Sequence, residues 1–221
     1  MRPLLMLCLL LAACATAPAS PADVFRRVAA SAVVITTSTG SGSGTVILHE
    51  RDRSLVLTAQ HVVAGAGRVV HIQVSGGAEG SMTVRSRVLL ADRDLDLALL
   101  ESAARLPALA LPVATDEPAL YELVYSVAAP MGLVGTAWPA LLSAKIERAG
   151  AQIWEITGFT FFGSSGGTVA NARGELVGVP VVIATWNGLP IPQVGFAVPL
   201  PSIRTFLDRA VALGVLEPEG R

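Results

Sequence analysis

The chain has 221 residues, enough to bury a sizeable core and too few for more than one or two compact units. Its 16 Lys and Arg against 17 Asp and Glu leave a formal charge of −1. No basic stripe stands out, so nucleic-acid binding has no support. With two cysteines, three histidines and no Cys/His ligand spacing, neither a disulfide framework nor a metal site is expected, and no cofactor is called for.

The first predicted element is a targeting signal. Met1-Arg2-Pro3 precedes the apolar run Leu4–Ala13. A run of roughly ten is signal-peptide grammar, since a membrane-spanning helix needs about twenty. The run closes on Leu11-Ala12-Ala13-Cys14, which resembles the lipobox of bacterial lipoproteins. That resemblance implies removal of residues 1–13, acylation of the Cys14 sulfur and a membrane-held mature chain. Ala15 behind the cysteine resembles lipoproteins sent to the outer membrane rather than the inner one. The alternative is an ordinary secretory signal cut near Ala17 or Ala19. Residues 14–23 are small and Pro-rich, a short extended tether. The mean hydropathy of +0.59 is high for a soluble domain. The signal run accounts for part of it, and no later apolar stretch is long enough to cross a membrane.

Val24 to Ala30 fits one or two helical turns. From Ala32 the pattern changes to short β-rich runs bounded by Gly, Ser, Asp and Pro. The first group is Ala32–Thr37, Thr45–His49, Ser54–Thr58, Arg68–Val74, Met82–Leu90 and Leu95–Leu100. After a Pro-containing connection, Leu106 to Pro118, come Glu122–Val127, Leu141–Ile146, Gln152–Ile156, Thr168–Asn171, Leu176–Val179, Val181–Thr185 and Val194–Val198. This spacing predicts an all-β fold, a sandwich or closed barrels, in two groups: about 30–105 and about 119–200. Pro201 to Leu213 reads as an amphipathic helix with Ile203, Phe206, Leu207, Ala210 and Leu213 on one face. Ser202 is placed to cap its start and Gly214 to close it.

Gly163-Ser164-Ser165-Gly166-Gly167 lies between strand-like runs. Glycine permits a tight turn and close approach of a substrate carbonyl, so backbone N–H groups can converge on an oxyanion beside an attacking serine oxygen. A serine nucleophile needs a base that takes a proton and returns it, and histidine is best suited. His61 stands at the end of an apolar strand where the chain must turn. His49, in a charged loop, and His71, alternating within a strand, fit structural roles. Among Asp92, Asp94 and Asp96 an exposed acidic turn is the default. Asp96 differs because it leads directly into Leu97–Leu100 and can be carried into a dry interior to orient the base. Gly163-x-Ser165-x-Gly167 also fits the nucleophile elbow of α/β-hydrolases, but those place histidine after the serine and none follows here. The subtilisin order would need an aspartate ahead of His61, and neither Asp23 nor Asp52 has a suitable setting. His61, Asp96, Ser165 is the chymotrypsin order.

Together these motifs resemble a trypsin-like serine protease of the bacterial HtrA type, from about Val33 to Leu207. Gly42-Ser43-Gly44, Thr58-Ala59-Gln60-His61-Val62-Val63 and Asp96-Leu97-Ala98-Leu99-Leu100 match its first half. Pro130-Met131-Gly132-Leu133, Leu142-Ser143-Ala144, the Ser165 pentapeptide and Gly195-Phe196-Ala197-Val198-Pro199 match its second. The resemblance implies one protease domain over 24–221, built as two six-stranded antiparallel β-barrels (chymotrypsin-like) with a C-terminal helix. It implies a His61, Asp96 and Ser165 triad in the cleft between them. The oxyanion would be held by the Gly163-Ser164-Ser165 turn, through the N–H groups of Gly163 and Ser165. Extended substrate would pair with Val182, Ile183, Ala184 and Thr185, and Phe159, with Phe161 and Phe162, would line an apolar pocket or join the barrel core. A protein or peptide substrate and a monomer are expected. Ser164 stands where the family has Asn or Asp, and Thr168 where it has Pro; both bear on how readily the oxyanion hole forms. The PDZ domains of full-length HtrA proteins are not expected here, nor is regulation through them. The alternative function is a catalytically silent protease-fold lipoprotein that binds peptides.

Overall fold

Ser20 caps the first helix: its Oγ accepts the Asp23 N–H at 3.2 Å while the Asp23 carboxylate reaches back to the Ser20 N–H at 3.3 Å. This reciprocal cap begins helix α1 at Pro21, so α1 runs Pro21–Ala29 and starts earlier than the apolar pattern alone predicts. The structure is a computed structural model and describes residues 19–75, 80–148, 151–158, 162–187 and 189–218. The leader, Cys14, Phe159 and Phe161 lie outside the described residues.

Val- and Leu-rich runs then form β1 (Ala32–Thr36), β2 (Ser41–Glu50), β3 (Arg53–Ala59), β4 (Val69–Ser75), β5 (Ser81–Asp92) and β6 (Leu97–Ser102). They close into one antiparallel barrel in the order β1-β2-β3-β6-β5-β4. A short helix α2 (Gln60–Val63) follows β3. The second barrel is β7 (Leu123–Ala128), β8 (Thr136–Arg148), β9 (Ala151–Thr157), β10 (Thr168–Ala170), β11 (Leu176–Trp186) and β12 (Leu189–Pro199). Its order is β10-β11-β12-β9-β8-β7. The fold is thus all-β, two closed six-stranded barrels with a C-terminal helix, as expected. Val24 and Val28 of α1 share a buried cluster with Tyr125 and Val127 of β7, and Phe25 meets Tyr125 edge-on at 5.0 Å.

Several expected boundaries move for local reasons. Leu176–Val179 and Val181–Thr185 form one strand, because a register shift at Pro180 absorbs the missing N–H. β10 stops before Asn171, whose Oδ1 accepts the N–H groups of Arg173 and Glu175 and folds the chain into a side-chain-mimicked turn. Bonds from Arg173 and then Asn171 hold the Glu175 carboxyl below the usual carboxylate range. Helix α3 (Leu200–Ala212) follows Pro199 at its N-cap with no side-chain cap bond, so Ser202 does not cap it. The reason is that β12 runs straight into the helix and Pro201 already supplies helical φ in its first turn. Gly214 does close it, at φ +66°. Ile203, Phe206 and Ala210 are buried, whereas Leu213, past the last turn, is exposed.

Asp92 corrects the expectation of an exposed acidic turn. It is buried, Oδ1 accepts the N–H groups of Asp94 and Leu95, and Oδ2 accepts Arg209 Nη1 of α3 at 2.7 Å. The last helix of the chain is thereby clamped onto barrel one. Between the barrels, the Thr45 and Thr168 hydroxyls, both fully buried, meet at 2.5 Å. Thr45→Val strands one hydroxyl in a dry interface and should cost about 1–3 kcal/mol. Thr168→Val should cost a similar amount, and the double variant less than the sum. Denaturant midpoints measure this; strictly additive losses would show that the pair is not coupled.

Candidate active site

The site is assembled from both barrels, and barrel one contributes an oriented imidazole. At the end of β3 the chain turns into α2, and the Gln60 N–H donates to the Asp96 carbonyl at 3.1 Å. One Asp96 carboxylate oxygen accepts the His61 main-chain N–H at 2.9 Å, and the other meets His61 Nδ1 at 2.8 Å. A carboxylate only accepts, so Nδ1 carries a proton, and in the neutral imidazole Nε2 is the nitrogen with the lone pair. Asp96 reaches this position from a left-handed backbone, φ +53°, in the turn before β6. It is therefore not carried into the dry interior expected from its place ahead of the strand: its side chain stays 26% exposed. His49 bridges Ser54 Oγ and the Ala108 carbonyl, both at 2.8 Å, a structural role. His71 is exposed on β4.

Barrel two contributes the serine turn. Gly163 sits at φ +91° and Gly166 at φ +84°, conformations that favour glycine. Gly166 N–H donates to the Pro180 carbonyl at 2.8 Å, and Gly167 N–H to the Ser164 carbonyl at 3.1 Å. Neither the Gly163 nor the Ser165 N–H donates to a described residue. Ser164 is buried beneath the turn. Ser165 Oγ donates to the Val181 carbonyl of β11 at 3.2 Å rather than to the imidazole.

What joins the two halves is the start of β2. A Cβ on Gly42 would lie 2.6 and 2.7 Å from the methyls of Val62, the neighbour of His61, and 3.1 Å from the Ser165 carbonyl. The His61 helix and the Ser165 turn therefore press on the same glycine from two directions. Next to it, the Ser43 N–H donates to the Ser165 carbonyl at 2.8 Å and the Ser43 Oγ to the Gly163 carbonyl at 2.6 Å. Sequence reasoning marked Gly42-Ser43-Gly44 only as a motif and missed this contact; a serine between two glycines was the available signal.

Val182, Ile183 and Thr185 lie on β11, which pairs with β12 along that stretch. Its pairing with β10 runs only over Leu176–Gly178. Beyond Pro180 that edge has no strand partner among the described residues. Met131, Leu133 and Phe162 are exposed, and Phe162 immediately precedes Gly163. Met131 N would be 3.1 Å from a Gly163 Cβ. A cavity of about 680 Å³ lined by Glu50, Arg53, Glu101 and Glu217, where Arg53 pairs with Glu101, shares no residue with this site. No group of three or more His, Cys, Asp or Glu among the described residues could hold a metal ion.

A family model described as a trypsin-like peptidase domain matches residues 42–179. The periplasmic pH-dependent serine endoprotease DegQ of Escherichia coli is 28% identical over 186 residues, covering 80% of this chain and 39% of that protein. The magnetosome formation protease MamE of Paramagnetospirillum magneticum is 31% identical over 176 residues, covering 75% of this chain and 23% of that protein. The chain thus spans well under half the length of these relatives. The solved structure of Rv3671c from M. tuberculosis H37Rv, a mutant in an inactive form, aligns with a TM-score of 0.71 and 24% identity. That alignment covers 91% of this chain and 97% of the other, a likeness of fold.

Gly166 tests the packing of the turn. A Cβ there would lie 2.1 Å from Thr58 Oγ1 and 2.2 Å from the Ser43 carbonyl. Gly166→Ala should therefore lower stability by at least about 2 kcal/mol, combining left-handed strain with overpacking. Gly67→Ala, at φ +70° with nothing within 4 Å, should cost about 1–2 kcal/mol from strain alone. Equal losses in thermal denaturation would contradict the close approach at Gly166.

Proposed function

The chain belongs to the trypsin-like peptidase family, of the HtrA type, and from that premise we propose that it is a serine endopeptidase of the bacterial cell envelope. The observation that carries this reading is the double grip of Asp96 on His61, which leaves Nε2 as the proton acceptor on a helix packed against Gly42. Ser165 abuts the same glycine through its carbonyl. Turning the Ser165 hydroxyl from the Val181 carbonyl toward Nε2 prepares it for attack on a peptide carbonyl. His61 takes the proton as the carbon–oxygen bond forms, and the N–H groups of Gly163 and Ser165 hold the oxyanion. Collapse of the tetrahedral species passes the proton to the leaving amine and leaves an acyl-enzyme. Water, activated by the same imidazole, then releases the second product.

The edge of β11 past Pro180, without a strand partner among the described residues, supports strand addition by extended substrate along Val182 to Thr185. The periplasmic location in the name of DegQ supports an envelope location for this chain. Within the envelope, we assign Cys14 as a lipid anchor on the periplasmic face, outer membrane rather than inner, from its lipobox-like setting. No helix among the described residues is long and apolar enough to cross a membrane.

A fluorophosphonate probe should label the parent protein at Ser165, and Ser165→Ala should abolish both labelling and peptide cleavage while leaving the folded state intact. Loss of the serine should lower turnover by about 10⁴-fold or more. Labelling at another residue, or turnover retained by Ser165→Ala, would overturn the assignment.

A further inference from the structure

We infer that Ser43 of barrel one is a positioning residue for the oxyanion turn of barrel two. This rests on the endopeptidase reading and deepens it, because it names a group that aims the turn without touching substrate. Ser43 is fully buried on β2, and every polar group it carries is engaged. Its N–H holds the Ser165 carbonyl at 2.8 Å, and its own carbonyl accepts Thr58 Oγ1 at 2.7 Å. Its hydroxyl proton goes to the Gly163 carbonyl at 2.6 Å, and an oxygen lone pair accepts the Ala129 N–H at 2.8 Å.

These partners bracket the nucleophile turn. Gly163 and Ser165 are the residues whose N–H groups are proposed to bind the oxyanion, and Ser43 fixes the carbonyl of each. Ala129 leads into Pro130 and Met131, the backbone on which Gly163 rests: Pro130 Cα would be 3.3 Å and Met131 N 3.1 Å from a Gly163 Cβ. Gly163, without a side chain and at φ +91°, has no means of its own to keep one peptide orientation. The hydroxyl supplies that constraint from across the barrel interface. Its loss takes this partner from the Gly163 carbonyl and from the buried Ala129 N–H, and the peptide between Gly163 and Ser164 loses a restraint.

The oxyanion exists only along the reaction path, so a misaimed donor lowers kcat and leaves ground-state binding nearly unchanged. Ser43→Ala should lower kcat on a fluorogenic peptide that the parent cleaves by about 10- to 100-fold, with KM held within about threefold. Ser43→Cys, which keeps a weak donor, should fall between the two. Ser102→Ala, which removes a buried hydroxyl of β6 bonded to Ser54 and Ala104 and outside the seam, should lower the melting temperature without lowering kcat. Amide hydrogen exchange gives a readout independent of turnover: Ala129, Gly166 and Gly167 should exchange faster in Ser43→Ala than in the parent. Unchanged kcat in an active parent, or unchanged exchange at Ala129 and Gly166, would overturn the role of Ser43. A parent that neither cleaves peptide nor reacts with fluorophosphonate would instead overturn the endopeptidase reading, while the exchange comparison still decides whether Ser43 holds the turn.

Discussion

Two stretches of backbone, Gly42–Gly44 in barrel one and Ser165–Gly167 in barrel two, lie closer together than side chains allow. A Cβ at Gly166 would lie 2.1 Å from Thr58 Oγ1 and 2.2 Å from the Ser43 carbonyl, and one at Gly42 would lie 3.1 Å from the Ser165 carbonyl. That contact sets the spacing of the barrels, and the spacing decides whether a hydroxyl from one half can meet an imidazole from the other. Close packing transmits small displacements, so a change at this seam is felt at the chemistry.

The seam is polar where a core would be apolar. Ser43, Thr45, Thr58 and Thr168 are all buried, and each hydroxyl has a partner across or beside the interface. Hydroxyl bonds of this kind contribute modest net stability but impose direction, and an unpaired one is costly. A purely hydrophobic seam would tolerate sliding and rotation of one barrel on the other. Helix α3 adds a second restraint, since it leaves barrel two and ends with Arg209 on the buried Asp92 of barrel one. The cleft is thereby held from two separate places.

Much of this fold was legible in the chain because strand periodicity and the Pro-containing break at residues 106–118 report the same physics as the barrels. The order His61, Asp96, Ser165 was legible by inventory, since no histidine follows Ser165. What escaped was whatever depends on a single long-range partner. Asp92, Asp94 and Asp96 alternate in one short run, yet Asp92 is a buried clamp and Asp96 a half-exposed orienter with a left-handed backbone. The place of Asp96 ahead of Leu97–Leu100 marked it as the partner of His61, but nothing local marks Asp92, whose partner Arg209 lies 117 positions on. The same holds for Ser43, whose hydroxyl answers to a carbonyl 120 positions on. Caps and turn ends shifted for local competitors: the Ser20 capping box, the Asn171 turn and Pro180.

The central claim is that the barrel contact delivers His61 Nε2 and the Gly163 and Ser165 N–H groups to one bond-making centre. A crystal structure of the full chain with a peptidyl phosphonate bound tests it most directly. The account predicts a covalent bond at Ser165 Oγ, a phosphonyl oxygen within hydrogen-bond distance of both N–H groups, and Nε2 within reach of Ser165 Oγ with Nδ1 still on Asp96. An inhibitor bonded elsewhere, or an imidazole facing away from the adduct, would contradict it.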